Sequence, residues 1–169
     1  MRGLKVAAGL LAALLLHVAG AEVWPYFPRA FDLFLVVLVL NSVDGDTLAG
    51  MLGGLAAGLL SDLLTGGPYG LFGFVDTILG YSSAFLAQRL VVRRLSTILV
   101  LLALAAAVQQ ALLISMALFL IPGSGLPALP WPFVKVGTAA VVGAVAYQVR
   151  RVALRGYGRW RSARSARLR

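Results

Sequence analysis

From Ser96 to Ile121 the chain carries no charged side chain, and that one stretch restricts the whole molecule. A helix rises about 1.5 Å per residue and a hydrocarbon core is about 30 Å thick, so roughly 20 apolar residues cross it. A block this long and oily belongs in lipid, and it has company. Apolar blocks also cover residues 4–21, 31–43, 47–64, 70–88 and 131–149, with 96–121 fifth in order. None shows the in-out alternation of a membrane barrel strand, which leaves helices as the way to satisfy the backbone in lipid. The expected fold is an all-α integral membrane protein with six transmembrane helices over residues 1–149 and a basic cytoplasmic tail over 150–169. The second block is the shortest, and whether it crosses completely is open.

Charge is scarce, at 12% of residues against roughly 25% in soluble domains, which supports a membrane protein. The absence of cysteine excludes disulfides, thiol catalysis and cysteine metal sites. A net charge of +9 could suggest nucleic acid, but eight of the fifteen Lys/Arg fall after residue 149, directly behind an apolar block. Arg150, Arg151, Arg155, Arg159 and Arg161, with Trp160, are therefore expected to lie on anionic lipid headgroups, and no nucleic-acid partner is expected.

Lys/Arg bias between spans sets orientation. With the N-terminus in the cytoplasm, Arg89, Arg93, Arg94 and the tail all fall inside, so both termini are expected there. The alternate loops hold only Arg29 and Lys135, and Trp24, Tyr26, Tyr69 and Trp131 fall at the outer interface. The start, with its basic residues, apolar run and Ala19-Gly20-Ala21, also has the layout of a cleavable signal peptide. An uncut first helix is the expectation, and the other helices keep their orientation in either case.

In "GMLGGLAAGLLSDLLTGGPYG", Gly50, Gly54, Gly58 and Asp62 recur every four residues and so share one face of a helix. Gly70, Gly73 and Gly80 give the next helix a similar small-residue surface. Such faces allow close helix approach in lipid, so these positions are expected to form helix packing or a partner interface. Asp62 is costly in hydrocarbon and should face the bundle interior or a wet cavity. Asp32, Asp62, Asp76 and Lys135 all fall in the outer half and form a candidate polar cluster. Two roles stay open for them: capping and pairing that fix helix positions, or the lining of an outward pocket or partner groove.

Other polar residues are weaker signals. His17, the only histidine, is expected to be a helix contact. Gln109 and Gln110 sit in mid-helix and can hydrogen-bond across helices. Asp44 and Asp46 flank a turn, with Asp46 or Thr47 as N-cap of the third helix, and the remaining ligands of a calcium loop are missing. No nucleophile elbow, P-loop or H-E-x-x-H pattern is present, and an Asp62–Asp76 dyad matches no protease signature. The chain is expected to be no enzyme and to hold neither cofactor nor metal.

The order of features resembles the MreD family of bacterial rod shape-determining membrane proteins. An outer loop precedes the short "FDLFLVVLVLN" helix, and "GMLGGLAAGLLSDLLTGGPYGLFGFVDTILGY" follows. Asp32-Leu33, Gly58-Leu59-Leu60-Ser61-Asp62, Gly70-Leu71 and Gly80-Tyr81 fit the family pattern, whereas Phe31 stands where the family has proline. The resemblance implies a non-enzymatic inner-membrane component of the elongation machinery that binds MreC. Through MreC it would meet MreB, RodA and a class B penicillin-binding protein, supporting peptidoglycan synthesis and cell shape. It also implies a fold similar to the S components of energy-coupling-factor transporters. An S component-like substrate-binding subunit of a vitamin transporter is the alternative, with the outer cluster as its ligand site.

Overall fold

The computed structural model describes residues 2–43, 46–66, 69–89, 95–120 and 130–166, with side chains described as far as residue 152. Among them lie six long helices and one single turn: α1 (Arg2–Val23), α2 (Phe27–Ala30), α3 (Leu33–Ser42), α4 (Thr47–Thr65), α5 (Leu71–Arg89), α6 (Leu95–Leu120) and α7 (Pro130–Ala166). No strand occurs among the described residues. The long helices fall where the apolar blocks lie. The turn α2 sits inside what the sequence presents as a loop, where Pro28 occupies a first-turn position that needs no amide donor.

Four helices are long and apolar enough to cross a membrane: Gly3–Val23, Thr47–Thr65, Leu95–Leu120 and Pro130–Val152. Of the six expected spans, these four meet that measure of length and composition among the described residues, and α3 and α5 do not. α5 has 19 residues but carries Asp76, Thr77, Ser82, Ser83 and Gln88, which dilute its hydropathy. α3 has only 10 residues, or about 15 Å of helix, half the thickness of the hydrocarbon core.

α3 is the centre of the molecule. Asp32 is its N-cap, accepting from Leu35 N at 3.0 Å. Its valines lower intrinsic helix propensity, so packing must hold it. Phe34, Leu35, Val36, Leu38, Val39 and Leu40 are all buried, and α3 touches α1, α4, α5, α6 and α7. At its far end Asn41 Nδ2 and Ser42 Oγ donate back to Val37 O and Leu38 O. Arg150 Nη1 on α7 donates to Leu40 O at 2.8 Å. The bond from Arg150 satisfies a last-turn carbonyl that a helix terminus otherwise leaves open, while the Asn41 and Ser42 side chains share carbonyls of the preceding turn.

α4 and α5 form a tight hairpin around α3. Asp46 caps α4, accepting from Ala49 N at 2.6 Å. The helix stops at Gly66, whose φ of 64° is the left-handed conformation that glycine adopts without strain. The facing surfaces are nearly bare backbone. A Cβ on Gly50 would run into Gly80 O, one on Gly54 into Asp76 O, and one on Gly58 into Phe72 and Gly73 backbone. Dispersion at this separation supplies packing energy where lipid competes for every larger apolar side chain.

α7 runs far beyond the expected boundary at residue 149, continuing as helix to Ala166. Arg150, expected at the lipid surface, is half-buried and turned inward to α3, while Arg151 is exposed. The side chains of Arg155, Arg159, Trp160 and Arg161 lie outside the described residues, as do Asp44, Arg93 and Arg94.

Candidate functional site

The polar residues of the bundle lie at helix junctions, and each junction has its own chemistry. Asp62 is 1% exposed, in the last turn of α4. Its Oδ2 accepts from Gly70 N and Gly73 N, and its Oδ1 from Phe72 N, each at 3.0 Å. These N–H groups belong to the start of α5, where no preceding turn supplies acceptors. Gly70, at φ 94°, has no side chain to cap the helix itself, and Phe74 N donates to Gly70 O. Asp62 therefore caps the following helix from across the hairpin, and its negative charge sits at the positive end of the α5 dipole.

Asp32 works on two helices. One oxygen caps α3, and Oδ2 stands 3.8 Å from Lys135 Nζ on α7. The lysine ammonium also lies 5.8 Å from the Phe72 ring centroid, over the α5 entrance. Nearby, Thr138 Oγ1 donates to Ala30 O, tying α7 to α2, and Tyr26 stacks on Trp131 with centroids 5.7 Å apart. His17 of α1 is buried between Phe27 and Phe34, with ring centroids 6.1 and 5.6 Å away.

Asp76 lies deeper, 0% exposed in α5, and its Oδ1 accepts from Gln109 Nε2 of α6 at 2.7 Å. Asp76 Oδ2, Gln109 Oε1 and His17 Nδ1 are the side-chain atoms buried without a hydrogen-bond partner among the described residues.

The four residues of the expected outer cluster are therefore not one bonded group. Asp32 and Lys135 pair directly, Asp62 is engaged by the α5 backbone, and Asp76 by Gln109. Gly50, Gly54 and Gly58 lie against α5 within the same chain, and Gly73 lies beside Leu59 and Asp62. Thr138 and the cap donors of α5 carry no signal in the sequence, since their partners are backbone atoms far along the chain.

Beside Lys135 a groove of about 540 Å³ opens between α2, α4, α6 and α7, lined by Arg29, Leu64, Thr65, Gln110 and Trp131 among others. Its described lining offers two cations, an amide and an indole, and among the described residues no nucleophile there is held by a base. No group of three or more His, Cys, Asp or Glu able to hold a metal occurs among the described residues.

The family model described as rod shape-determining protein MreD matches residues 6–124. No curated protein and no solved structure matches the chain.

Proposed function

The chain belongs to the MreD family of rod shape-determining membrane proteins, and on that premise we propose that it is a non-enzymatic inner-membrane scaffold of the bacterial elongation complex. In this role it binds MreC and through it supports MreB, RodA and a class B penicillin-binding protein in peptidoglycan synthesis. The observation that carries the proposal is how the acids are engaged. Asp32, Asp62 and Asp76 each tie one helix of this chain to another, which suits a rigid platform better than a reaction centre.

The open groove between α2, α4, α6 and α7 is the place we assign to the partner. Its cations and Trp131 suit a membrane-proximal segment with an acidic or aromatic residue. Lys5, Arg89 and the α7 basic run support a topology with both termini cytoplasmic and the 150–169 segment on the anionic leaflet. A fold like that of S components is part of the same proposal, as what membership of the family implies.

The test is a mild-detergent pull-down of the tagged protein from its own membranes, with proteins and small molecules identified by mass spectrometry. Recovery of MreC with cell-wall synthases is expected. Recovery of paired ATPases and a bound vitamin instead would overturn the scaffold in favour of a transporter subunit.

A further inference from the structure

At the end of the bundle opposite the groove, α1, α3, α4 and α7 diverge around a cavity of about 270 Å³. Two cations from different helices stand on it, exposed Lys5 of α1 and half-buried Arg150 of α7. The bond from Arg150 Nη1 to Leu40 O holds the guanidinium at the end of α3 rather than letting it follow the basic run of α7. Below the cations, Val6, Leu10 and Val37 make an apolar wall. Among the described residues none that lines the cavity is acidic, and Asp46 at the nearby start of α4 is exposed and engaged by Ala49 N.

Gly53 completes the α4 wall, and its position is informative. A Cβ there would meet Val6 and Leu38 at 3.7 and 4.0 Å, ordinary contact distances, so helix packing does not demand a glycine. The neighbouring Gly54, by contrast, has Asp76 backbone in the way. What glycine at position 53 provides is open space in the cavity.

Two positioned cations above an apolar wall, at the polar boundary of a membrane bundle, match a phosphodiester with hydrocarbon attached. We propose that this cavity binds one anionic glycerophospholipid of the surrounding bilayer. Its headgroup phosphate lies between Lys5 and Arg150, and the upper part of one acyl chain follows Val6, Leu10 and Val37. The volume is slightly below the range of about 300–1,000 Å³ typical of sites that enclose a whole small ligand, which suits a partly inserted lipid. The rest of the lipid stays in the bilayer along α1, where Leu4, Leu11 and Leu15 are exposed. The site is independent of partner binding in the elongation complex, and it differs from diffuse attraction to the α7 basic run in being saturable at one lipid.

The test is native mass spectrometry of the purified full chain titrated with phosphatidylglycerol or phosphatidylethanolamine. One saturable phosphatidylglycerol adduct is expected, and phosphatidylethanolamine should bind more weakly. Lys5→Ala should weaken the first adduct about fivefold, the worth of one cation near a phosphate. Gly53→Leu should fill the cavity and remove that adduct, while Arg151→Ala, exposed and outside the cavity, leaves it intact. Equal binding of the two lipids, equal losses in Lys5→Ala and Arg151→Ala, or an adduct that persists in Gly53→Leu would overturn the proposal. So would full displacement by inorganic phosphate, which would assign the cavity to a soluble anion. If Gly53→Leu fails to fold, the comparison of Lys5→Ala with Arg151→Ala decides.

Discussion

Gln109 donates to Asp76 across 33 positions of sequence, at 2.7 Å, in a contact that water does not reach. It is a polar tie between the α4–α5 hairpin and α6, and one hydrogen bond joins its two members in an interior that would penalise either alone.

That pairing makes the single and double replacements differ. Asp76→Leu leaves the Gln109 amide buried without an acceptor and should destabilise the protein by about 1–3 kcal/mol. Asp76→Leu combined with Gln109→Leu removes both polar groups and should recover much of the loss. Thermal unfolding of the purified variants in detergent checks this, and a double variant less stable than either single one would contradict it.

Asp62 should show a graded series. Ala at this position frees three N–H groups at the start of α5 and should cost about 2 kcal/mol, the upper end for an N-cap. Asn keeps one acceptor oxygen and should fall between Ala and the native residue. Hydrogen exchange of the Phe72 and Gly73 amides reads the cap directly, and unchanged protection in Asp62→Ala would refute the assignment.

Two adjacent glycines should respond in opposite directions. Gly54→Ala drives a methyl group into the Asp76 carbonyl and must separate α4 from α5, at a cost of about 1–3 kcal/mol. Gly53→Ala meets its neighbours at ordinary distance and gains helix propensity, so stability should hold or rise by up to about 1 kcal/mol. Equal unfolding temperatures for the two variants would show that the close approach of the helices carries little energy.

The groove assignment predicts a separation of binding from folding. Arg29 is exposed and lines the groove. Arg29→Glu should reduce MreC recovery in the pull-down about tenfold or more, since like-charge or mismatched contacts at an interface cost several kcal/mol. The unfolding temperature should be unchanged, and undiminished recovery would move the partner site elsewhere on the protein.

Much of this architecture is written locally. The four-residue spacing of Gly50, Gly54 and Gly58 marks a face that approaches another helix, and Asp46 and Asp32 stand where N-caps stand. The work of Asp62 is harder to see because its partners are backbone amides, whose availability depends on the left-handed Gly66 and Gly70 folding the chain back. Intramembrane acids attract a functional reading by default, yet here packing geometry turns each toward a different helix. The inward turn of Arg150 is hidden for a related reason. In sequence it is the first of a run of arginines, and only the short reach of α3 leaves a carbonyl at the right height to hold it.

The brevity of α3 also bears on how the protein is made. Too short to rest in lipid unaided, α3 emerges from the ribosome when α1 and the turn α2 are the only parts of the bundle already built. Four of the five helices that enclose it are still to come, so α3 must wait beside α1 until the α4–α5 hairpin enters and α6 and α7 close over it. Biogenesis is therefore vectorial, with the centre of the molecule installed early and secured last. A chain halted before α6 would leave the sides of α3 that face α6 and α7 uncovered.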